Sequence, residues 1–207
     1  LKSIHICSMI SSVCDKTYVI TTANSSRVNY IKNHLNERGI QFEFFVAPKF
    51  ELFIPNHFMW NQLTDTRPVL SLLGAYYSII EMCNISGVER VAIIEDDCYL
   101  VPDWVRRFEN FYNNVPDDWD LLNVGWHPLH ETDTVKENIN QYVSAPKNWH
   151  HTTHFMMVSS NIYSFYKSVV DDNNWSCPAD YAFNEVYKNN NYKSYMPNEH
   201  IAYQLSY

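Results

Sequence analysis

Val88-Glu89-Arg90-Val91-Ala92-Ile93-Ile94-Glu95-Asp96-Asp97-Cys98-Tyr99-Leu100 runs four consecutive apolar residues straight into three consecutive carboxylates. An apolar run without polar alternation, Val91 to Ile94, is the pattern of a strand buried on both faces, as in a largely parallel sheet. The acids then stand at its carboxyl end, beyond which ligands of open α/β sheets bind. Three adjacent carboxylates repel one another and raise one another's pKa, so they call for a divalent metal or for donors from a ligand. If the strand conformation persists through them, Glu95 and Asp97 point to one side and Asp96 to the other. The competing reading is a solvated acidic turn. Against it, no Gly, Asn, Ser or Pro separates the buried run from the acids.

The rest of the composition bounds what such a site can belong to. A chain of 207 residues, rich in aromatics, is expected to fold as a single domain with a substantial core, residues 1–15 forming an extension or edge strand. A formal net charge of -8 argues against an extended nucleic-acid footprint. The four glycines, Gly39, Gly74, Gly87 and Gly125, are too scattered for a P-loop or a Gly-x-Gly-x-x-Gly fingerprint. A bound nucleotide would therefore need its positive charge from elsewhere. Five cysteines, odd in number and without Cys-x-x-Cys spacing, read as reduced thiols. No membrane span or signal segment is expected. A cytoplasmic location is the expectation, with a lumenal one open if the chain is a piece of a longer secretory-pathway protein. Three Asn-x-Ser sequons, at Asn24, Asn84 and Asn174, arise easily by chance in a chain rich in Asn.

Outward from the central strand, the pattern alternates. Thr17 to Thr22 reads as a first strand. Asn24 or Ser25 is placed to cap a helix marked by Val28, Ile31 and Leu35 and stopped by Gly39, and Gln41 to Val46 reads as the next strand, completing a βαβ unit. Residues 47–67, with three prolines at their borders and interior, read as a long irregular connection. Val69 to Cys83 reads as a helix apolar on most of its circumference, and Pro102 to Asn113 as an amphipathic one. Further strands are expected at Trp119 to Val124, His151 to Ser159, Tyr192 to Met196 and His200 to Leu205, further helices at Asn161 to Val170 and Ala179 to Asn189, and a loop at Gly125 to Lys147. The alternation implies a three-layer α/β/α domain with a mostly parallel central sheet.

Tyr18-Val19-Ile20 with Arg27 beyond it, Ala92-Ile93-Ile94-Glu95-Asp96-Asp97, Asp118-Trp119-Asp120-Leu121-Leu122 and Pro178-Ala179-Asp180 occur in this order at suitable intervals. Together, from about residue 17 onward, they resemble glycosyltransferase family 25, which includes lipooligosaccharide and collagen galactosyltransferases. The resemblance implies a GT-A fold, a nucleotide-diphosphate sugar as donor, transfer of a hexose (galactose or glucose) to a glycan, lipid or protein hydroxyl, and inversion at the anomeric carbon. It places Thr21, Arg27, Glu95 and Asp96 toward the donor. Asp97 would be the direct ligand of Mn²⁺ or Mg²⁺, with Glu95 beside it and His200 as a late ligand. A metal suits a site without a glycine-rich phosphate cradle, because it can neutralise a leaving diphosphate.

Asp180, at the start of its helix, is the candidate general base, and Asp120 competes for that role. The bland reading of Asp180 is a helix N-terminal acid favoured by the macrodipole. His150, His151 and His154 lack the further partners of a zinc site, so surface and strand histidines are the better reading. Trp126, Trp149 and Trp175 are either sugar-stacking or core residues. Two rival functions remain: a non-catalytic carbohydrate- or nucleotide-binding domain of the same fold, and a metal-dependent phosphoester hydrolase using the same acids.

Overall fold

The structure, a computed structural model, describes residues 9–50, 67–126, 136–146 and 152–205. Its central strands follow the order β2 (Glu43–Val46), β1 (Lys16–Thr21), β3 (Arg90–Glu95), β8 (Phe155–Ser159), β5 (Leu121–Gly125) and β9 (Ser194–Pro197). Of these six, five run the same way and β8 opposes them. A hairpin of β6 (Lys136–Asn138) and β7 (Val143–Pro146) extends the β9 edge. Beside β5, a short ribbon pairs β4 (Cys98–Leu100) with β10 (Ala202–Gln204).

Helices cover both faces. Alternation along the buried strands explains why: in β3, Ala92 and Ile94 pack into one core with Ile31 and Leu35 of α1 (Val28–Asn36) and Trp104, Phe108 and Phe111 of α3 (Trp104–Tyr112). Val91 and Ile93 pack into the other, with α2 (Arg67–Ser86), α4 (Tyr163–Asp172) and α5 (Ala179–Lys188). Each such fully buried aliphatic stabilises the fold by roughly 1.5–3 kcal/mol relative to exposure. The expected three-layer α/β/α architecture with a mostly parallel central sheet is therefore present.

Several local expectations are revised. The N-terminal segment carries a 3₁₀ turn at Ile10–Ser12, with residues 1–8 outside the described residues. The connection at 47–67 falls largely outside them as well, and so do His150, His151 and Trp149. The region read as a loop, Gly125 to Lys147, contains the β6–β7 hairpin; β6 is exposed throughout, so it has no buried alternation to betray a strand. No side-chain cap starts α1: Ser25 accepts from the Arg27 backbone N–H at 3.2 Å, but its hydroxyl hydrogen goes to Asp96. Among the described residues α2 is long and apolar enough to cross a membrane by length and composition, contrary to the sequence reading. It is a core helix, with Leu73, Tyr76, Ile79 and Ile80 fully buried. Cys14, Cys83, Cys98 and Cys177 are free, buried thiols as expected, and burial pushes that of Cys83 up to about 11, which makes it a poor nucleophile.

Candidate active site

The strand β3 ends at Glu95, and Asp96 and Asp97 form the turn into β4. Turning here, and not strand alternation, sends the three acids in three directions. Asp96 is buried and reaches back to the end of β1, where Thr21 Oγ1 donates to it at 2.7 Å, Ser25 Oγ at 2.6 Å and Arg27 Nε at 2.8 Å. Arg27 adds a second guanidinium contact at 2.7 Å. Removing the cation from a buried pair of this kind costs about 3–5 kcal/mol, less where the cation is partly solvated, as Arg27 is. Thr21 and Arg27, expected toward the donor, are thus first of all the partners of Asp96. They fix the turn.

Glu95 points to the opposite layer. Thr153 Oγ1 donates to its Oε1 at 2.5 Å, and the Tyr76 hydroxyl, which donates to the Thr153 carbonyl at 2.5 Å, lies 3.3 Å from the same oxygen. Burial, then the neighbouring Asp97 charge, push Glu95 up to about 8 despite the two hydroxyls that favour its ionised form. The neutral form of Glu95 is thereby favoured.

Asp97 is the least satisfied of the three. Its Oδ2 accepts from Gln204 Nε2 at 3.1 Å on β10, and its backbone carbonyl accepts from the Leu205 N–H at 2.9 Å. Its Oδ1 is buried without a hydrogen-bond partner among the described residues. Burial raises its pKa against the opposing Gln204 hydrogen bond. An orphaned, desolvated carboxylate oxygen is expensive unless something arrives to meet it.

Asp180 sits in the first turn of α5, which precedes β9 and so opens at the same carboxyl end of the sheet. A helix N-terminus and the Tyr181 N–H, 2.9 Å from Oδ1, should hold this carboxylate down. Burial wins: its pKa is pushed up to about 6. Its charge also helps raise Glu95, which ties the two acids into one electrostatic cluster.

Two expected site residues lie elsewhere. Asp120 immediately precedes β5, which runs parallel to β3, so it stands at the amino end of the sheet; five strand residues at about 3.3 Å each separate it from the acid end. There it accepts from Asn161 Nδ2 and from the Lys193 N–H, each at 2.8 Å, with Ser159 Oγ at 3.4 Å. It is a brace between β5, β8 and β9. His200 lies before β10, at the end of the ribbon away from Asp97, because Gln204 pairs with Cys98 and Ala202 with Leu100. Four residues of chain, at up to about 3.3 Å each, separate it from Gln204. Its ring packs on Trp126 at 3.9 Å and Tyr203 at 4.9 Å between centroids. Among the described residues no group of three His, Cys, Asp or Glu is set to hold a metal, so Glu95, Asp97 and His200 do not form the expected ligand trio. His154 is buried in β-sheet surroundings against Gly125, where an added Cβ would stand 2.4 Å from its ring.

No protein-family model matches this chain, and no curated protein matches it. Solved structures do. A197 from STIV superposes with a TM-score of 0.54 at 11% identity, covering 93% of this chain and 86% of that one. The inositol-1-phosphate CTP transferase from T. maritima superposes with a TM-score of 0.50 at 11% identity, covering 92% and 88%. What these superpositions share is the fold, a mixed α/β domain with a mostly parallel central sheet. A glycosyltransferase involved in the glycosylation of the major capsid of PBCV-1 is also similar, with a TM-score of 0.45 at 11% identity over 78% of this chain and 68% of that one.

Sequence reasoning missed Tyr76, Thr153, Ser25 and Gln204 as members of this cluster. Ser25 carries a visible signal, a hydroxyl just after the first strand, although the same position also suits a helix cap. The other three reach the acids from 19, 58 and 107 residues away, with nothing local to mark them.

Proposed function

We propose that the protein is an inverting glycosyltransferase that moves a hexose, galactose or glucose, from a nucleotide-diphosphate sugar to a hydroxyl of a glycan, lipid or protein. One observation carries the reading: the buried, unpartnered Oδ1 of Asp97, at the carboxyl end of the central strand of a transferase-type fold. Mn²⁺ or Mg²⁺ fits this oxygen, because such ions are commonly held by one or two carboxylates with phosphates and water completing the shell. Bound there, the ion would supply positive charge to the departing diphosphate. Asp96 is matched by Arg27 and is not a ligand.

The chain's own residues perform the rest. Asp180 accepts the acceptor hydroxyl's proton as that oxygen bonds to the anomeric carbon, while the carbon–oxygen bond to the diphosphate breaks and its electron pair leaves with the phosphate. A carboxylate raised to about 6 is a stronger base than an ordinary aspartate and still ionised at pH 7. Burial favours the neutral form of Glu95, which limits the negative charge an anionic donor meets.

Thermal unfolding with UDP-galactose or UDP-glucose, with and without MnCl₂, tests the proposal. One donor should raise the melting temperature only with Mn²⁺, by the equivalent of about 2.7 kcal/mol at a hundredfold excess over Kd. Asp97→Asn should abolish that metal-dependent shift and leave the unliganded protein at least as stable. No shift with any nucleotide sugar would favour the non-catalytic domain, and pyrophosphate release from CTP would move the reading to nucleotidyl transfer.

A further inference from the structure

A second feature of the acid end involves Trp175, between α4 and α5. The C-terminus of α4 closes with the Trp175 N–H on the Val170 carbonyl at 3.0 Å and the Asn174 N–H on the Asp171 carbonyl at 2.9 Å. Asn174 then has φ 48 and Trp175 φ 59. A left-handed Asn after a helix is a common cap, but a bulky aromatic in that region is an outlier of the kind that accumulates at functional sites. The strain has a visible product: a fixed indole. Its Nε1–H donates to Asp171 Oδ1 at 3.2 Å, while the Tyr77 hydroxyl donates to Asp171 Oδ2 at 3.1 Å, so one carboxylate orients both rings. The rings lie 4.6 Å apart, tilted by 42°, and Phe50 approaches Trp175 at 6.4 Å.

Topology places the loop that carries this indole at the carboxyl end of the sheet, where α5 opens: Trp175 lies five residues before Asp180. The indole is only half-buried, while its polar edge is already committed to Asp171. Part of the ring packs on Tyr77 and the core behind it, and with its N–H occupied the part left exposed is apolar π-surface, the complement of the C–H face of a pyranose.

We infer that Trp175 is the platform on which the acceptor's sugar ring stacks, so that the acceptor is a glycan and not a bare lipid or protein hydroxyl. This rests on the glycosyltransferase reading for its role but not for its test. Saturation-transfer NMR with lactose, maltose and methyl α-D-mannopyranoside, with and without UDP and MnCl₂, reads sugar binding directly. Two variants keep the fold out of the question: Trp175→Gly relieves the left-handed backbone while deleting the ring, and Trp175→Phe keeps a ring. Wild type should bind at least one sugar, Trp175→Gly should weaken that binding by about tenfold or more, and Trp175→Phe should stay within about threefold. Equal binding by Trp175→Gly, or no binding of any of these sugars by wild type, overturns the inference. The nucleotide-sugar thermal shift, measured on the same samples, separates the two ideas. A retained shift with Trp175-independent sugar binding removes the platform alone, and Trp175-dependent sugar binding without any nucleotide shift removes the transferase reading alone.

Discussion

At the amino end of β5, Asp120 accepts from a backbone N–H, an amide and a hydroxyl, all supplied by the fold; at the carboxyl end of β3, Asp97 keeps one buried oxygen with no partner among the described residues. Both are aspartates beside strands of the same sheet. The first is matched because its job is to hold β5, β8 and β9 together. The second and its neighbours carry charge that the fold raises in energy instead of relieving: burial pushes Glu95 and Asp180 up to about 8 and about 6. Satisfied burial marks a brace, and unsatisfied burial marks a place prepared for something that is not in the chain.

The largest expected break in this contrast is Asp180→Asn. Loss of a general base should lower transfer by about 10²–10⁴-fold at pH 7. Stability should move the other way. The folded-state pKa of about 6 lies above the ordinary 3.8, so the folded protein holds this proton more tightly than the unfolded chain. The stability it contributes is full below pH 4 and lost as pH rises through 6, about 3 kcal/mol for a shift near two units. Urea unfolding from pH 4 to 8 should therefore show wild type losing stability relative to Asp180→Asn across that window. Parallel curves would mean that Asp180 is an ordinary helix-start acid.

Asp120→Ala should do the reverse. It leaves the Lys193 N–H and the Asn161 amide facing a void, at about 1–3 kcal/mol for each unsatisfied group, so a loss of about 2–6 kcal/mol in urea unfolding is expected. Nucleotide-sugar binding by whatever protein remains folded should be unaffected. A selective loss of transfer with unchanged stability would restore Asp120 as a catalytic candidate.

In the sequence Asp120 stands as a rival base inside a strand, and only topology distinguishes it from Asp97. Asp120 precedes its apolar run and Glu95 to Asp97 follow theirs; in strands running the same way, that difference alone separates the two ends of the sheet. The layers were legible because Val91 to Ile94 and the helices facing them are patterned strongly. The direction of β8 was not, since Phe155 to Val158 is buried on both faces and such a run pairs equally well either way. The environment of the acids was the least legible part. Whether a carboxylate is matched or orphaned depends on residues such as Thr153 and Gln204, brought in by chain reversals whose geometry no local pattern encodes. His200 misleads for the same reason in the opposite sense: its segment returns to Asp97 through Gln204, but the antiparallel β4–β10 register carries His200 to the other end of the ribbon.

The smallest expected effect sharpens the comparison within the acid turn itself. Asp96 behaves like Asp120, matched on every side, although it sits beside Asp97, which is not. Ser25→Ala removes one of its donors while Thr21 and Arg27 remain, so the carboxylate is left short by one hydrogen bond and not uncompensated. A loss of about 1 kcal/mol is expected, measurable as a lower urea midpoint at unchanged slope. Metal-dependent nucleotide-sugar binding should persist in this variant, because Asp97 makes its own contact to Gln204 and shares no donor with Asp96. If Ser25→Ala instead removes that binding while the fold stands, Asp96 acts together with Asp97, and the turn as a whole meets the donor.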